Sequence, residues 1–290
     1  MTTPLITPLR WPAEAIWQAV APALPSFTVE ILPEIDSSNS ELMRRFRGAT
    51  GLPSRPEPTL LVAEQQTAGR GRLGRNWQSQ RGDSLTFSLG LMLQPADLSG
   101  LSLVIGISLA ESLDPSFGRL ASSKAHIGLK WPNDLWLTDA AGERKLAGIL
   151  VETVSLDGQR YVVIGVGINI RTVALTEPTS VPPAGLQELA PHLDAAQTLL
   201  CVVPPLVQAI QAFEQFGFAP FQARFAKRDV LLGRAVQLSD GTQGEAHGVA
   251  ENGALRVYTS AGMQEMTSSE ISVRPVAATA SAAPASVRPC

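Results

Sequence analysis

The sequence predicts an α+β fold in which a large mixed-sheet region precedes a small all-β region. Segments with strand and helix patterns succeed one another without the strict βαβ alternation of a doubly wound sheet. From Leu231 onward, short strand patterns alternate with turn sequences such as Asp240-Gly241 and Asn252-Gly253, which favours a small β-barrel ending near Arg274. The 290 residues are 44% hydrophobic and 17% charged, which suffices for one large or two modest packed domains.

The elements expected in the first part of the chain follow from apolar periodicity and from turn and cap residues. Ser38 and Glu41 have capping-box spacing, so we expect a helix to begin there and to run to about Arg47. The other expected elements are a helix at 13–20, strands at 27–32, 59–63 and 84–93, a glycine- and arginine-rich loop at 66–82, and an amphipathic helix at 98–113.

The second part of the chain is expected to complete the mixed sheet before the short strands of the C-terminal region begin. Strands are predicted at 127–137, 145–154 and 161–170, a proline-rich loop at 177–183, and helices at 194–216 and 220–230. Residues 277–286 are rich in Ala, Ser and Pro, which indicates a disordered tail. The predicted division is a lead-in helix at 1–26, a main domain at 27–230, a barrel at 231–275 and a tail at 276–290.

Composition and charge exclude several classes of protein. A net charge of −3 and a pI of about 5.7 argue against a basic nucleic-acid binder. Two cysteines, Cys201 and Cys290, do not make a disulfide framework, and the N-terminus lacks a signal-peptide pattern, so we expect a cytoplasmic protein. The uncharged run at 195–213 contains two prolines and favours a buried helix over a membrane span. The three histidines lack metal-ligand spacing, and no P-loop motif is present.

The segment from Gly69 to Arg75 contains a G-x-G-x-x-G pattern with three arginines. A dinucleotide-binding turn would need a helix immediately afterwards, but residues 76–83 start a helix poorly. The residue types favour a flexible loop whose guanidinium groups pair with phosphate or carboxylate, because Arg offers a planar, bidentate donor. The alternatives are a solvated surface loop with incidental arginines and a nucleic-acid patch without basic support elsewhere.

A second cluster lies at Lys130 to Asp134 and Lys145 to Glu152. The chain has four lysines, and two of them fall in these 23 residues. Lys145 at the head of an apolar strand, with Gly148 three residues on, suits a cation aimed at a site beside bare backbone. A solvated strand end, and a simple turn at Asn133-Asp134, are the alternatives. Further on, Gly165 and Gly167 face one side of a strand, leaving space for a ligand ring or for core packing.

Taken together, these segments resemble the biotin–protein ligase family in order and spacing. The segments that carry the resemblance are Asp36 to Asn39, Glu64 to Arg75 with Trp77, Lys130 to Asp134, Lys145 to Glu152 and Gly165 to Asn169. The resemblance implies a catalytic domain like that of class II aminoacyl-tRNA synthetases at 27–230 and an SH3-like C-terminal barrel. It also implies a two-step reaction in which biotin and MgATP form biotinyl-5′-AMP, and a carrier-domain lysine then takes the biotinyl group.

The resemblance further implies roles for individual residues. Those expected to bind biotin are Ser37, Ser38, Asn39, Gln66, Gly69, Arg70, Gly71, Arg72, Lys145, Gly148 and Gly167. Those expected to bind ATP are Arg70, Arg72, Arg75, Trp77, Asn133, Lys145 and Asn169. The expected catalytic residues are Lys145, Arg70 and Asp134, with Asp134 a candidate to orient or deprotonate the incoming lysine. No protein metal site is expected, because Mg²⁺ enters with ATP. Ser38 stands where the family usually has Thr, which keeps the hydroxyl.

Partners also follow from the resemblance. The expected protein partner is the biotin carboxyl carrier domain of acetyl-CoA carboxylase or a related carboxylase, with homodimer formation left open. A lipoate–protein ligase is the nearest enzyme alternative, but the chain has no adjacent glycines and no His near Gly69. A bifunctional ligase and biotin-operon repressor is the second alternative. The 35 residues before Asp36 hold one helix and one strand pattern with a single basic residue, Arg10, so no sequence-specific DNA binding is expected.

Overall fold

The computed structural model describes residues 9–48, 56–95, 97–118, 125–156, 159–172, 181–267 and 273–275. The strands of its main body are, in chain order, β1 (Thr28–Leu32), β2 (Thr59–Ala63), β3 (Gly69–Arg70), β4 (Asn76–Trp77), β5 (Ser84–Met92), β6 (His126–Lys130), β7 (Asp134–Asp139), β8 (Gly142–Leu156) and β9 (Gln159–Asn169). Seven of them form one sheet in the order β1-β2-β5-β9-β8-β7-β6, and β3 and β4 form a separate hairpin. The β1–β2 pair is parallel and all the other pairs are antiparallel, so the sheet is mixed.

Helices cover the two faces of the sheet unequally. They are α1 (Ala13–Val20), α2 (Ser38–Gly48), α3 (Leu101–Leu113), α4 (Ala195–Phe216) and α5 (Gln222–Ala226). The first helix packs on α4, and α3 packs between α4 and strands β6 to β8. The opposite face carries α2, which contacts β2, β5 and β9. The α2 face therefore leaves the ends of β7, β8 and β9 free of helix, and the site lies there.

The core is largely continuous across the molecule. One cluster of buried apolar side chains joins the seven-stranded sheet, α3 and α4, and it includes Val236, Leu238 and Ala246 from the C-terminal sheet. A second, smaller cluster lies under α2, where the rings of Phe46 and Tyr161 stack with centroids 4.6 Å apart. The smaller cluster anchors α2 to the sheet and so places the N-terminus of that helix.

Several sequence predictions are confirmed to the residue, and one strand is corrected. The helix at 13–20 and the strand at 59–63 match α1 and β2. The single strand expected at 127–137 is instead the β6–β7 hairpin, with its turn at Trp131 to Asn133. Proline lacks the N–H that a continuous ladder needs, so Pro132 breaks the run where apolar periodicity alone predicts continuity.

Two helix predictions are also corrected. The segment expected to be amphipathic forms α3, which is buried on nearly all sides because it lies between the sheet and α4. The helix expected at 220–230 is only a 3₁₀ turn (Ala219–Phe221) followed by α5. Beyond α5 the chain leaves the helix because it pairs with the edge strand β6. Leu129 N–H donates to Arg228 O, and Val230 N–H donates to Leu129 O.

By length and composition alone, helix α4 could cross a membrane. It instead packs against α1 and α3, and ten of its 22 residues are buried in the core. Its N-terminus is capped by Asp194, whose side chain accepts a hydrogen bond from Gln197 N at 2.8 Å. The packing agrees with the buried helix expected from the sequence.

The C-terminal region is a five-stranded antiparallel sheet. Its strands are β10 (Ala235–Leu238), β11 (Gln243–Val249), β12 (Leu255–Thr259), β13 (Gly262–Met266) and β14 (Val273–Pro275), in the spatial order β13-β12-β11-β10-β14. No pairing closes β13 onto β14 within the described part of the chain, so the barrel expected from the sequence stays a prediction. The expected tail at 276–290 and most of the loop at 177–183 lie outside the described residues.

Candidate active site

Register places one row of residues straight across the seven-stranded sheet. From β1 to β6 the row is Leu32, Ala63, Thr86, Gly167, Gly148, Asp134 and Lys130. Residues directly opposite one another on neighbouring strands project to the same face. Their neighbours Leu129, Leu135 and Ile149 point to α3 on the other face. The row therefore lies on the α2 face, and the last four members bring two glycines, a carboxylate and an ammonium together.

The N-terminus of α2 presents three polar residues to this face. Ser37, Ser38 and Asn39 are all almost completely buried. Ser37 is the residue that caps the helix, because its Oγ accepts a hydrogen bond from Ser40 N at 3.4 Å. The capping role that the sequence favoured for Ser38 is therefore wrong. Glu41, the other half of that expected box, is instead ion-paired with Arg44 and Arg45.

Ser38 belongs to a hydrogen-bond network with Gln66 and Ser88. Gln66 Oε1 accepts from Ser38 N at 2.8 Å and from Ser38 Oγ at 3.1 Å. Ser88 Oγ donates to Asn39 Oδ1 at 2.6 Å and lies 2.7 Å from Ser38 Oγ. Asn39 Nδ2 completes the set by donating to Leu150 O and to Glu152 Oε2. The network fixes the directions of buried donors and acceptors, as recognition of a small polar ring requires.

The glycine- and arginine-rich loop folds as the β3–β4 hairpin with a 3₁₀ turn at Arg72–Gly74. The tip is sharp, because Leu73 adopts a φ of 56° and Gly74 a φ of 69°. Beneath the loop is a cavity of about 400 Å³, walled on the other side by Leu150, Val151 and Glu152. The glycine- and arginine-rich segment expected from the sequence therefore lines one side of this cavity.

Arg70 spans this cavity to the sheet. Its Nη2 donates to Glu152 Oε1 at 2.8 Å, and its Nη1 donates to Ser40 Oγ at 3.1 Å. Glu152 also accepts from Asn39, so one carboxylate joins the loop to the α2 network. An anionic ligand entering the cavity would compete with Glu152 for the Arg70 guanidinium.

The Trp77 ring packs on the glycines of the row. A Cβ added to Gly167 would stand 2.4 Å from the Trp77 ring, so no other residue fits there. At Gly148 the added atom would be 3.6 Å from the same ring and 3.5 Å from Lys145 Nζ. Gly165 is covered in the same way by the Asn39 amide. The two glycines on alternate positions of β9 therefore make room for site side chains rather than for the core.

Gly69 differs from this group. Its Cβ direction points at Trp77 O, at 2.4 Å, inside the β3–β4 hairpin. The close approach of two backbone segments therefore explains this glycine in the structure. Its expected contact with biotin stays a prediction.

A β-bulge aims Lys145 at the site. On β8, Ala147 pairs with Leu135 but Lys145 pairs with Trp136, so Leu146 is an extra residue in the ladder. Such an insertion changes the face on which the next side chain projects. Lys145 Nζ therefore reaches the Gly148 side, where it pairs with Asp134 Oδ1 at 2.8 Å. The Lys145 backbone is held by Pro182 O, Ala184 N and the Asn169 side chain.

Asn133 joins the hairpin turn to β8 and to the loop. Its Nδ2 donates to Ile149 O at 2.8 Å, and its Oδ1 accepts from Arg72 Nη1 at 3.4 Å. Burial lowers the pKa of Arg72 from its usual range while Asp134 raises it. Arg75 lies exposed at the end of the loop. Arg72 and Lys145 therefore act on one carboxylate, that of Asp134, whereas Arg70 pairs with Glu152.

Lys130, Ser40, Ser88 and Glu152 were not assigned a role from the sequence. Lys130 is 8% exposed, and burial lowers its pKa to about 8. Lys130 begins the Lys130–Asp134 segment that carries the family resemblance, and this position could have indicated that it belongs to the site. Ser88 lies in an apolar strand pattern, and nothing local marks it. Across the described ranges no group of three potential metal-binding side chains lies together.

Comparison with known proteins defines the class. A sequence model of the biotin/lipoate A/B protein ligase family matches residues 37–169, which contain every site residue predicted above. The bifunctional ligase/repressor BirA of Escherichia coli is 38% identical over 256 residues, covering 85% of this chain and 74% of that protein. The biotin–[acetyl-CoA-carboxylase] ligase of Paracoccus denitrificans is 30% identical over 250 residues, covering 83% and 98%.

Solved structures agree. The biotin protein ligase from Aquifex aeolicus in complex with biotin and ATP superposes with a TM-score of 0.68 at 31% identity, covering 86% of this chain and 99% of that one. The chain belongs to the biotin protein ligase family, which confirms the resemblance drawn from the motifs and favours a biotin ligase over a lipoate ligase.

Proposed function

We propose that the protein is an ATP-dependent ligase that attaches biotin to one lysine of a biotin carboxyl carrier domain in acetyl-CoA carboxylase or a related carboxylase. The observation that carries the proposal is the convergence, on one face of the sheet, of a buried polar network and a cluster of cations under an arginine loop. The network suits a polar ring, and the cations suit the carboxylate and phosphates.

In the first step, a biotin carboxylate oxygen forms a bond to the α-phosphorus of ATP, and the bond to the β-phosphate oxygen breaks. Pyrophosphate leaves with the electron pair, and biotinyl-5′-AMP remains. Two anions must approach each other, so fixed positive charge is the main requirement. Lys145, Arg70, Arg72 and Arg75 supply it in the proposed assignment, with the Ser38–Gln66–Ser88 network and Ser37, Asn39 and Gly71 around biotin. The adenine is assigned to Trp77 and Asn169, and Asn133 is assigned to ATP without a more specific position.

Magnesium enters this proposal as part of the substrate MgATP. Asp134 pairs with Lys145, so the proposal assigns this carboxylate to the lysine and not to the ion. The ion bound to ATP would add to the positive charge that the arginines and Lys145 direct at the phosphates.

In the second step, the amine of the carrier lysine attacks the biotinyl carbonyl and AMP leaves. An ammonium cannot attack, so its proton must be taken up, and Asp134 is the proposed acceptor or orienting group. The mixed anhydride hydrolyses in water, which requires a cover while it waits for the carrier. The Gly69–Arg75 loop is placed to supply that cover.

The test is a reconstituted reaction with biotin, MgATP and an apo carrier domain, followed by intact-mass spectrometry. We expect one biotinyl group per carrier, and no product when lipoate replaces biotin. Lys145→Ala is expected to reduce the rate at least about 100-fold, because it removes a fixed cation at the developing charge. Lys227→Ala is the matched control, since Lys227 is exposed beyond α5. A wild-type protein that transfers lipoate, or neither group, would contradict the proposal.

The remaining assignments stay proposals of the same kind. They are a cytoplasmic protein without sequence-specific DNA binding, and the division at residues 26, 230 and 275. The described N-terminal residues form α1, which packs against α4 in the core. Homodimer formation is left open.

A further inference from the structure

The β8–β9 ladder ends before it reaches Lys145, so another segment must satisfy the backbone there. The last pair of that ladder on this side is Ala147 with Ile168. In place of β9, a short segment of chain forms a parallel bridge with the lysine: Lys145 N–H donates to Pro182 O at 2.8 Å, and Lys145 O accepts from Ala184 N at 2.8 Å. The position of the Lys145 backbone therefore depends on how this bridging segment is held.

One carboxylate joins the bridging segment to β8. Glu188 Oε1 accepts hydrogen bonds from Gly185 N at 2.7 Å and from Thr172 Oγ1 at 2.6 Å. Its Oε2 accepts from Arg144 Nη1 at 2.6 Å. Gly185 directly follows the bridging segment, and Arg144 directly precedes Lys145 in β8. Glu188 therefore connects the strand that carries Lys145 with the segment that pairs with it.

The charges of this cluster favour a fixed geometry. The Arg144 side chain is 16% exposed and also pairs with Asp139 Oδ2 at 2.5 Å. Its hydrogen bond with Glu188 raises the pKa of Arg144. Burial raises the pKa of Glu188, but the hydrogen bonds from Gly185, Thr172 and Arg144 together lower it below the usual range. Glu188 is therefore an ionised acceptor of charge-assisted bonds, which are shorter and stronger than neutral ones.

The proposed first step requires that Lys145 Nζ lie where charge develops between biotin and the α-phosphate. A displacement of about 1 Å at such a group can cost on the order of 100-fold in rate. The Lys145 side chain is one-third exposed, so its direction depends strongly on the backbone from which it projects. Neither reaction step described above assigns a role to Glu188 or Arg144.

We propose that Glu188 is a positioning residue for Lys145. Through Gly185 and Arg144 it fixes the part of β8 from which the ammonium group reaches the reacting anions. The inference rests on the proposed function and deepens it. Glu188 exchanges no proton and contacts no substrate in this assignment, so its whole effect on the reaction passes through Lys145.

A double-mutant cycle tests whether Glu188 acts through Lys145. Glu188→Ala is made in the wild-type chain and in Lys145→Ala, and single-turnover formation of biotinyl-AMP from biotin and MgATP is measured in each. In the wild-type background the rate is expected to fall about tenfold, because the ammonium group is displaced. In the Lys145→Ala background the same change should cost less than about twofold, because the group that Glu188 positions is absent.

Two milder variants divide the effect between the links. Glu188→Gln keeps an oxygen that can accept from Gly185 N and Thr172 Oγ1, so the rate should fall only about threefold. Arg144→Met removes the other link and should also cost about threefold, and neither effect should persist without Lys145. Glu111→Ala is the matched control, since it removes a carboxylate that pairs with an arginine away from the site and should leave the rate unchanged.

An equal loss in both backgrounds would overturn the inference, because Glu188 would then act on the fold and not on Lys145. An unchanged rate for Glu188→Ala in the wild-type background would overturn it as well. Denaturant unfolding reports whether each variant is folded. If Glu188→Ala is not, Glu188→Gln and Arg144→Met decide the question by the same comparison. Wild-type protein that forms no biotinyl-AMP would instead overturn the proposed function.

Discussion

In the proposed mechanism, the carboxylate of Asp134 has two roles that compete with each other. Its Oδ1 holds Lys145 Nζ at 2.8 Å, and its side chain is only 13% exposed. The same group is the proposed acceptor of a proton from the carrier lysine. If Lys145 turned to the phosphate of the adenylate, its ion pair with Asp134 would weaken and the carboxylate would become available for the incoming amine. One ion pair can thus serve the two steps in succession.

Asp134→Asn tests this sequence of roles. The amide keeps the shape but cannot accept the proton, so transfer from synthetic biotinyl-AMP is expected to fall about 100- to 10,000-fold. Adenylate formation should change by less than about tenfold, because Lys145 and the arginines of the loop remain. Transfer at the wild-type rate in single-turnover measurements would remove Asp134 from the second step.

Two elements carry the geometry of the site, the bulged strand β8 and the Gly69–Arg75 loop. The bulge turns Lys145 to the α2 face, and further along the same strand Glu152 receives Arg70 from the loop. The Arg70–Glu152 pair is half-exposed on the arginine side, so its contribution to stability is at most about 1 kcal/mol. An ion pair of this strength would give way to an anion that enters the cavity, as the proposed function requires.

Limited trypsin digestion tests the loop as a cover. We expect cleavage after Arg70, Arg72 or Arg75 in the free protein and protection on adding saturating biotin and MgATP, because the ligand's anions order the loop. Glu152→Gln should speed cleavage of the free protein without abolishing the protection.

The matched control is Glu111→Gln, which removes an exposed ion pair with Arg224 remote from the loop. If this control speeds loop cleavage equally, the effect is general destabilisation. Loop cleavage that saturating ligands leave unaltered would argue against the cover.

The two sheets are one folded body in the described structure. Trp131, at the β6–β7 turn, is fully buried and donates through Nε1 to Gly253 O of the C-terminal sheet at 3.0 Å. At the same junction Arg228 and Val230 pair with Leu129 of β6. Asp229 lies between them with its Oδ1 accepting from Leu231 N at 2.9 Å. Burial raises the pKa of the Asp229 carboxyl to about 6.

The Asp229 carboxyl makes the stability of the whole molecule depend on pH. Between about pH 4 and pH 6 the folded state keeps a proton that the unfolded state has released, so this group's contribution falls as pH rises through 6. Relative to wild type, Asp229→Asn should gain roughly 1–2 kcal/mol of unfolding free energy from pH 4 to pH 7.5, since one pKa unit corresponds to about 1.4 kcal/mol. Denaturant titrations at both pH values measure it.

Asp97→Asn is the matched control for that experiment. Asp97 makes the same hydrogen bond, to the N–H two residues on, but lies exposed. We expect the pH dependence of Asp229→Asn to exceed that of Asp97→Asn, because only Asp229 combines this hydrogen bond with burial. Equal pH dependence in the two variants would refute the role of burial at Asp229.

Local sequence patterns were sufficient to predict several elements of the fold and the family of the protein. Apolar spacing and end residues are properties of short segments, so α1 and β2 could be placed to the residue, and the motifs at 69–75, 130–134 and 145–152 identified the family and its chemistry. The sequence alone therefore determined the family and the class of reaction.

The pairing register of strands that are distant in sequence decided the remaining features of the site. Lys145 faces the site because one extra residue, Leu146, enters the β8 ladder, and no local pattern indicates on which strand a bulge falls. Ser88 joins the network because β5 pairs with β9, and Lys130 becomes a buried cation because the β6–β7 hairpin places it beside Asp134. Pairing between strands distant in sequence depends on the packing of the entire core, which a short segment does not encode.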